Sequence, residues 1–306
     1  MSTQIPVAFV DQFKSNTLLL SQQKQSQLRG CCRMEPITGD TMYVEIIGPK
    51  DAQVRGARHG ATPISDADHT RRKLSMADYV VPADIIDKPD RLKMLIDPQS
   101  VYVQNQVFSL NRVIDDVIIT ALGASALEGH AGGTTIVYSA VGECRVVQST
   151  GTIAAAGTAH TGGTETPLTI AKLLTCKEIL DNGNIDESRQ RYFVTNPHNL
   201  NQLMNTTEVK SADYNTVKAL AQGYVDTFMG FKFIKSTRLA TGADTDCIRS
   251  YAFAQDAIVL AVAEEPTVSI DLRPDLLNST QVYSTLSIGA TRVEGPAVVS
   301  IELDTA

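Results

Sequence analysis

Between Pro98 and Gly129 the chain can hold one uninterrupted helix, and that stretch restricts the fold more than any other. Val103, Val107, Leu110, Ile114, Val117 and Ala121 recur at steps of three and four, which places them on one face of a 3.6-residue helix. Asp97 suits a cap and Pro98 a first helical position, while Gly129 and the Gly132–Gly133 pair supply a stop. Gln99, Asn105, Asn111, Arg112 and Asp116 fall mostly on the other faces. A helix of about 30 residues is about 45 Å long, more than twice the mean length of globular helices. A rod of that length does not fit the middle of a compact domain, so the spacing predicts a strut along which other layers are laid.

Upstream of the strut the chain lacks the means to close a core of its own. Residues 1–40 are rich in glutamine and serine around SQQKQSQLRG, with Val7, Ala8, Val10 and Phe13 on one helix face and Leu18 to Leu20 as a second contact. This reads as an arm that packs on the body or on a neighbouring chain. Residues 41–82 read as an extended hairpin loop. MYVEIIGPK alternates and breaks at Gly48-Pro49, small polar residues follow, and Arg71 to Val81 forms a return strand. A two-stranded element of this size is marginal in water and calls for a partner surface. It carries Lys50, Arg55, Arg58, Arg71, Arg72 and Lys73 against Asp51, Asp66 and Asp68, a basic segment in a chain of net charge −7. A solvated basic face, an acidic neighbouring subunit and nucleic acid would each satisfy it. Aromatic residues that could stack bases do not interleave the charges. Contact with a neighbouring subunit through those six cations is the expectation taken forward.

Asp84–Asp97 is an amphipathic link with Ile85, Ile86, Leu92, Met94 and Leu95 facing inward, and Thr134–Val147 is strand-like. With the Gly-, Ala- and Thr-rich loop that follows, 83–165 forms one region around the strut. Residues 166–265 form a second. Pro167 opens a helix lined by Ile170, Leu173, Leu174, Ile179 and Leu180 and closed by Asn182-Gly183. RYFVTN is a buried strand, Pro197-His198-Asn199 caps another helix with Leu200 and Leu203 inside, and Tyr214–Gly223 is a third helix. Strands follow in 227–237 and 248–254, and AIVLAVA (257–263) is apolar enough to be buried on both faces. Residues 266–306 are all strand-like. Helices and strands mix without strict alternation, which predicts an α+β fold.

Chemistry is sparse. GxGxxG, a P-loop, HExxH and GxSxG are all absent. No second ligand stands at helical or hairpin spacing from His59, His69, His130, His160 or His198. Glu264-Glu265 and Asp115-Asp116 are adjacent pairs whose side chains point apart. Cys31, Cys32, Cys144, Cys176 and Cys247 are odd in number and lack CxxC spacing, as expected of reduced thiols. No apolar run approaches a membrane span, nothing marks the chain for export, and the negative charge argues against a surface that coats nucleic acid everywhere. No catalytic, cofactor-binding or metal-binding residue is assigned, and the chain is expected not to be an enzyme.

Three stretches then carry a resemblance: DPQSVYVQNQVFSLNRVIDDVIITALGA, KLLTCKEILDNGNIDESRQRYFVTNPHNLNQLM, and MGFKFIKSTRL followed by SYAFAQDAIVLAV. In this order they resemble the spine helix, the axial-domain helix–strand–helix run and the late strands of tailed-bacteriophage major capsid proteins of the Hong Kong 97 fold. The resemblance covers nearly the whole chain. It implies an N-terminal arm (1–40), an extended hairpin loop (41–82), a peripheral domain (83–165) with spine helix 98–129, an axial domain (166–265) and C-terminal strands (266–306) returning to the peripheral domain. It further implies a virion shell protein, assembled in the bacterial host cytoplasm as pentamers and hexamers around double-stranded DNA that it does not bind sequence-specifically. A separate scaffolding protein, a portal and a decoration protein are the implied partners. An encapsulin-type nanocompartment shell shares the fold and is the alternative. Some relatives cross-link covalently through a hairpin lysine, an asparagine and a catalytic glutamate. Lys50 and Lys73 lie in the right region without identified partners, so no cross-link is expected.

Overall fold

The computed structural model describes residues 21–54, 56, 58, 62, 64–87, 99–138, 145–147, 151–153, 166–205, 227–242 and 247–304. It divides into two units: unit 1 is Met1–Gln25, Asp78–Arg112 and Glu264–Leu286, and unit 2 is Ser26–Ala77, Val113–Ala263 and Ser287–Ala306.

The strut forms as α1, Gln99–Gly123, a helix of 25 residues, or about 37 Å at 1.5 Å per residue. It stops six residues before the expected end at Gly129. At Gly123 the hydroxyl of Tyr251 occupies the place a Cβ would take, and Ala126–Glu128 leaves the helix to become strand β5. Gly129 instead adopts φ +99° in the turn to β6 (Thr134–Ile136). The buried row is Leu110, Ile114, Ile118 and Leu122, each at most 2% exposed, so the core stripe follows i+4 spacing and leaves Val117 half exposed. Arg292 is buried, donates to Ala124 O at 2.7 Å and lies 4.9 Å over the Tyr138 ring. A cation suits the carbonyl end of a helix.

Asp115, on the same helix, anchors the segment that precedes the body. Its buried carboxylate accepts from Ser26 Oγ at 2.5 Å, Gln27 N at 3.1 Å and Leu28 N at 3.1 Å. Leu28 is fully buried behind it. Strand β1 (Arg33–Pro36) then pairs in parallel with β12 (Ile258–Arg273), from Arg33↔Val259 to Pro36↔Val262. Residues 26–40 of the expected arm are thus part of unit 2.

The core of unit 2 is a six-stranded sheet of β7 (Arg145–Val147), β14 (Val298–Asp304), β11 (Cys247–Ala254), β8 (Arg191–Thr195), β10 (Phe231–Lys235) and β9 (Thr227–Phe228), in that order. All five residues of β8 are buried, as the apolar run predicts. Phe193 lies 6.1 Å from the Phe231 ring and 5.3 Å from that of Phe233. Helix α2 (Ile170–Asn182) packs on β14 and β7. Thr169, rather than Pro167, caps it by accepting from Lys172 N, and Leu174 faces out. Helix α3 (Pro197–Asn205) buries Leu200 and Leu203 as expected.

Two of the expected late strands, before and after Pro266, are one long strand, and the next is longer than its apolar run. The AIVLAVA strand continues through Pro266 to Arg273 as β12, and β13 runs from Ser279 to Arg292. They form a four-stranded sheet in the order β1-β12-β13-β4, where β4 is Ala77–Ile86. The return strand of the hairpin therefore ends at Ser75 instead of running on through Val80-Val81, because residues from Ala77 belong to another sheet. Ile86 is buried, but Ile85 is exposed against expectation, since the two alternate on β4. Leu92, Met94, Leu95, the helix at 214–223, Cys144 and most of 148–165 lie outside the described residues.

Candidate inter-subunit surface

The hairpin is built by β2 (Thr41–Ile47) and β3 (His69–Ser75), antiparallel from Thr41↔Ser75 to Ile47↔His69. Strict alternation decides which side chains face the body. Met42 and Val44 pack with Leu74 against Val259 and Ala261, while Tyr43, Glu45 and Ile47 face out. On its other side β3 pairs with β5, Arg72↔Glu128 and Lys73↔Leu127, so the hairpin base is one half of a sheet ordered β2-β3-β5-β6.

That base consumes part of the expected cationic set. Arg72 is 5% exposed and its Nη1 lies 3.5 Å from Glu128 Oε2, so it serves its own subunit's interior. Arg71 pairs with Glu45 across the hairpin at 2.5 Å in solvent. The stem of Lys73 packs where Gly132, at φ +70°, has no Cβ. Lys50 donates to Ser65 O across the loop at 2.5 Å, Arg58 is exposed, and Arg55 lies outside the described residues. The sequence could not separate these roles, because all six residues look alike until a strand partner is known. The deciding signal was Glu128, which is distant in sequence.

Beyond Ile47 the two limbs part. Gly48 N donates to Asp68 O at 2.8 Å and closes the neck of the loop between them. Val54 and Ile64 are 97% and 93% exposed. Burying such a side chain is worth about 1.5–3 kcal/mol, so the loop presents apolar surface that a partner would cover with gain. Beside the base, Glu45, His69, Arg71, Glu128 and His130 line an open groove of about 640 Å³. The two histidines share this groove, which the sequence did not indicate. Among the described residues no group of three or more His, Cys, Asp or Glu side chains is placed to hold a metal ion.

Elsewhere the reactive groups are sealed in. Cys31, Cys32, Cys176 and Cys247 are buried thiols outside any disulfide, and burial pushes the Cys31 thiol up to about 11 and Cys176 to about 12. Thiols held neutral in this way are poor nucleophiles. Asp116, paired in the sequence with Asp115, instead binds Arg238 through both carboxylate oxygens. His198 meets Gln202 at 2.9 Å on the surface of α3. No helix among the described residues is long and apolar enough to cross a membrane.

The hairpin thus exposes apolar and basic side chains side by side. The sequence profile described as "Phage capsid protein" matches residues 5–305. The chain belongs to the phage capsid protein family. It is a major capsid protein of a phage head, a component of the virion shell. The capsid of cyanophage P-SCSP1u aligns with this capsid protein at a TM-score of 0.73 and 17% identity, over 100% of this chain and 96% of that one. Mycobacterium phage Che8 gives 0.69 at 15%, over 96% and 97%. The capsid of the native GTA particle gives 0.67 at 11%, over 100% of both chains. These likenesses show a phage capsid fold of mixed α+β content. No curated protein matches the sequence. The encapsulin alternative is not favoured by the family match.

Proposed function

We propose that this capsid protein assembles as pentamers and hexamers into the icosahedral head of a tailed phage around double-stranded DNA, and that the hairpin is a principal contact between subunits. In this reading α1 is the spine of a peripheral domain, the six-stranded sheet is the axial domain, and the strands after Pro266 return to the periphery. A scaffolding protein, a portal and a decoration protein act with it in the host cytoplasm. The single observation that carries the reading is the hairpin's distal loop. Val54 and Ile64 stand almost wholly in water beside Lys50 and Arg58. Among the described residues nothing covers these two side chains. Arg55 and Lys73 complete the contact set with Arg71, whose partner Glu45 is itself exposed, whereas Arg72 is excluded by its burial.

Removing the whole of 41–82 would strip Leu74 from the core, so the test excises 49–67 and joins Gly48 to Asp68 by a short glycine turn, using the neck hydrogen bond already present. The expected product is a soluble subunit of native stability that forms no shells when co-expressed with the neighbouring phage genes. Normal shells of the shortened protein in electron micrographs would refute the role of the hairpin.

A further inference from the structure

Three arginines are buried among the described residues, Arg72, Arg191 and Arg292. Arg72 has Glu128 beside it, and Arg292 has the carbonyl of Ala124 and the Tyr138 ring. Arg191, the first residue of β8, lines an open depression of about 220 Å³. It is 5% exposed, with Nη1 2.7 Å from Asp181 Oδ1 and Nη2 donating to Ile185 O at 3.1 Å. Its Nε is buried and has no hydrogen-bond partner. A guanidinium presents five N–H donors in a fixed fork that matches carboxylate and phosphate. Buried donors are rarely left unused, so an open depression at this one points to an acceptor supplied from outside the chain.

The other walls are suited to the same acceptor. Helix α2 contributes Lys177, which is half-buried and, among the described residues, has no ion-pair partner. The turn from β9 to β10 contributes Met229 and Gly230, both at positive φ, 53° and 85°. That is the geometry of a two-residue hairpin turn, whose central N–H groups lie outside the ladder. A Cβ on Gly230 would meet nothing within 4 Å, so the space before the turn is open. The remaining groups are engaged. Arg189 donates to Gln255 O at 3.1 Å and to Glu294 at 2.7 Å. Ser188 is taken by Asp186, whose carboxyl its backbone N–H, at 2.9 Å, and its hydroxyl hold below the usual carboxylate range. Glu187 is the exposed carboxylate of the lining. Lys177, Arg189 and Arg191 are matched in number by Glu187, Asp181 and Glu294, so short-range donors rather than a long-range field select the ligand. Sites for drug-sized molecules span about 300–1,000 Å³, and this smaller one suits a compact ion.

We propose that this depression binds one phosphate-type oxyanion, held by Lys177 Nζ and Arg191 Nε with the turn amides of Met229 and Gly230 beside them. Hydrogen bonds from cations to phosphate oxygens are about twice as strong as neutral ones, which compensates for the even charge balance. Free inorganic phosphate and the phosphodiester backbone of DNA offer the same chemistry. Only the second source rests on the capsid reading above.

The test is a calorimetric titration of the purified full-length subunit with inorganic phosphate at constant ionic strength. One phosphate binds per chain, saturably. Lys177→Met weakens binding at least tenfold and melts as wild type without phosphate. Glu187→Gln removes the repelling carboxylate and tightens binding at least threefold. Glu187 is exposed, so that variant decides the matter even where Lys177→Met does not fold. A short mixed-sequence DNA duplex that displaces the phosphate assigns the site to DNA, and one that leaves it bound assigns the site to the free ion. Absence of saturable binding, or affinities unmoved by the two substitutions, overturns the proposal. Shell formation is scored separately, so a subunit that assembles without binding phosphate sinks this site alone, and one that binds phosphate without assembling sinks the capsid contact alone.

Discussion

Asp115 ties the chain entering unit 2 to the long helix, and its removal should loosen that segment selectively. The carboxylate takes a hydroxyl and two backbone N–H groups at 2.5–3.1 Å in a site 2% exposed. In Asp115→Ala the hydroxyl of Ser26 can turn to water, but the amides of Gln27 and Leu28 lose their acceptor. A buried unsatisfied donor costs about 1–3 kcal/mol, so the pair costs about 3 kcal/mol with part of the loss recovered by local opening. At about 1.4 kcal/mol per tenfold, the Gln27 and Leu28 amides, and that of Cys31 bonded to Leu28 O, should exchange hydrogen on the order of 100-fold faster. Asp115→Asn keeps one acceptor oxygen and should fall between. The control is Asp116→Ala. It breaks the pair with Arg238, but both partners are 37% exposed, and such a pair is worth about 1 kcal/mol or less. Exchange at 26–31 should not change in that variant. Protection in Asp115→Ala within about threefold of wild type would refute the anchor, as would an equal loss in Asp116→Ala.

Two further outcomes follow from packing and charge. Gly289→Ala would drive a Cβ into the backbone carbonyl of Ser75 and within 2.8 Å of the Leu74 side chain, so thermal unfolding should drop by the equivalent of about 1–3 kcal/mol. Gly123→Ala meets the hydroxyl end of the Tyr251 ring and no backbone, and should cost less. Lys172 is 2% exposed, with Nζ donating to Thr166 O at 2.7 Å, and burial brings its ammonium down to about 8 from 10.5. Between those values the unfolded chain holds the proton and the folded chain does not, so raising pH stabilises the fold. Wild type should therefore gain unfolding free energy relative to Lys172→Met from about pH 8 to about pH 10.5 and stay level with it below pH 8; a flat difference would refute the burial of a titrating amine.

The apolar patterns of β8, α2, α3 and the first half of β12 were legible because each is a local run whose burial follows from its own composition. Errors arose where a distant partner decided. Glycines are the visible stop signal, so the sequence alone points to Gly129 as the strut's end. The actual stop depends on the Tyr251 hydroxyl, 128 residues on from Gly123, and on the pairing of Leu127 and Glu128 with β3. Arg71 to Val81 alternates throughout, which extends the hairpin to Pro82 by pattern, and alternation cannot show that Ser75 and Ala77 pair in different sheets. Charge misled in the same way. In the sequence six cations look like one basic face, yet Arg72 pairs with Glu128 and Arg71 with Glu45. Among the described residues of the loop, what stays exposed is the apolar pair Val54 and Ile64 with Lys50 and Arg58, a smaller surface than the sequence suggested. A contact made from that surface would draw its energy from apolar burial, with charge setting orientation, since exposed ion pairs add about 1 kcal/mol at most while each buried aliphatic side chain adds about 1.5–3. Assembly driven this way would tolerate salt, whereas a contact resting on six unpaired cations would not.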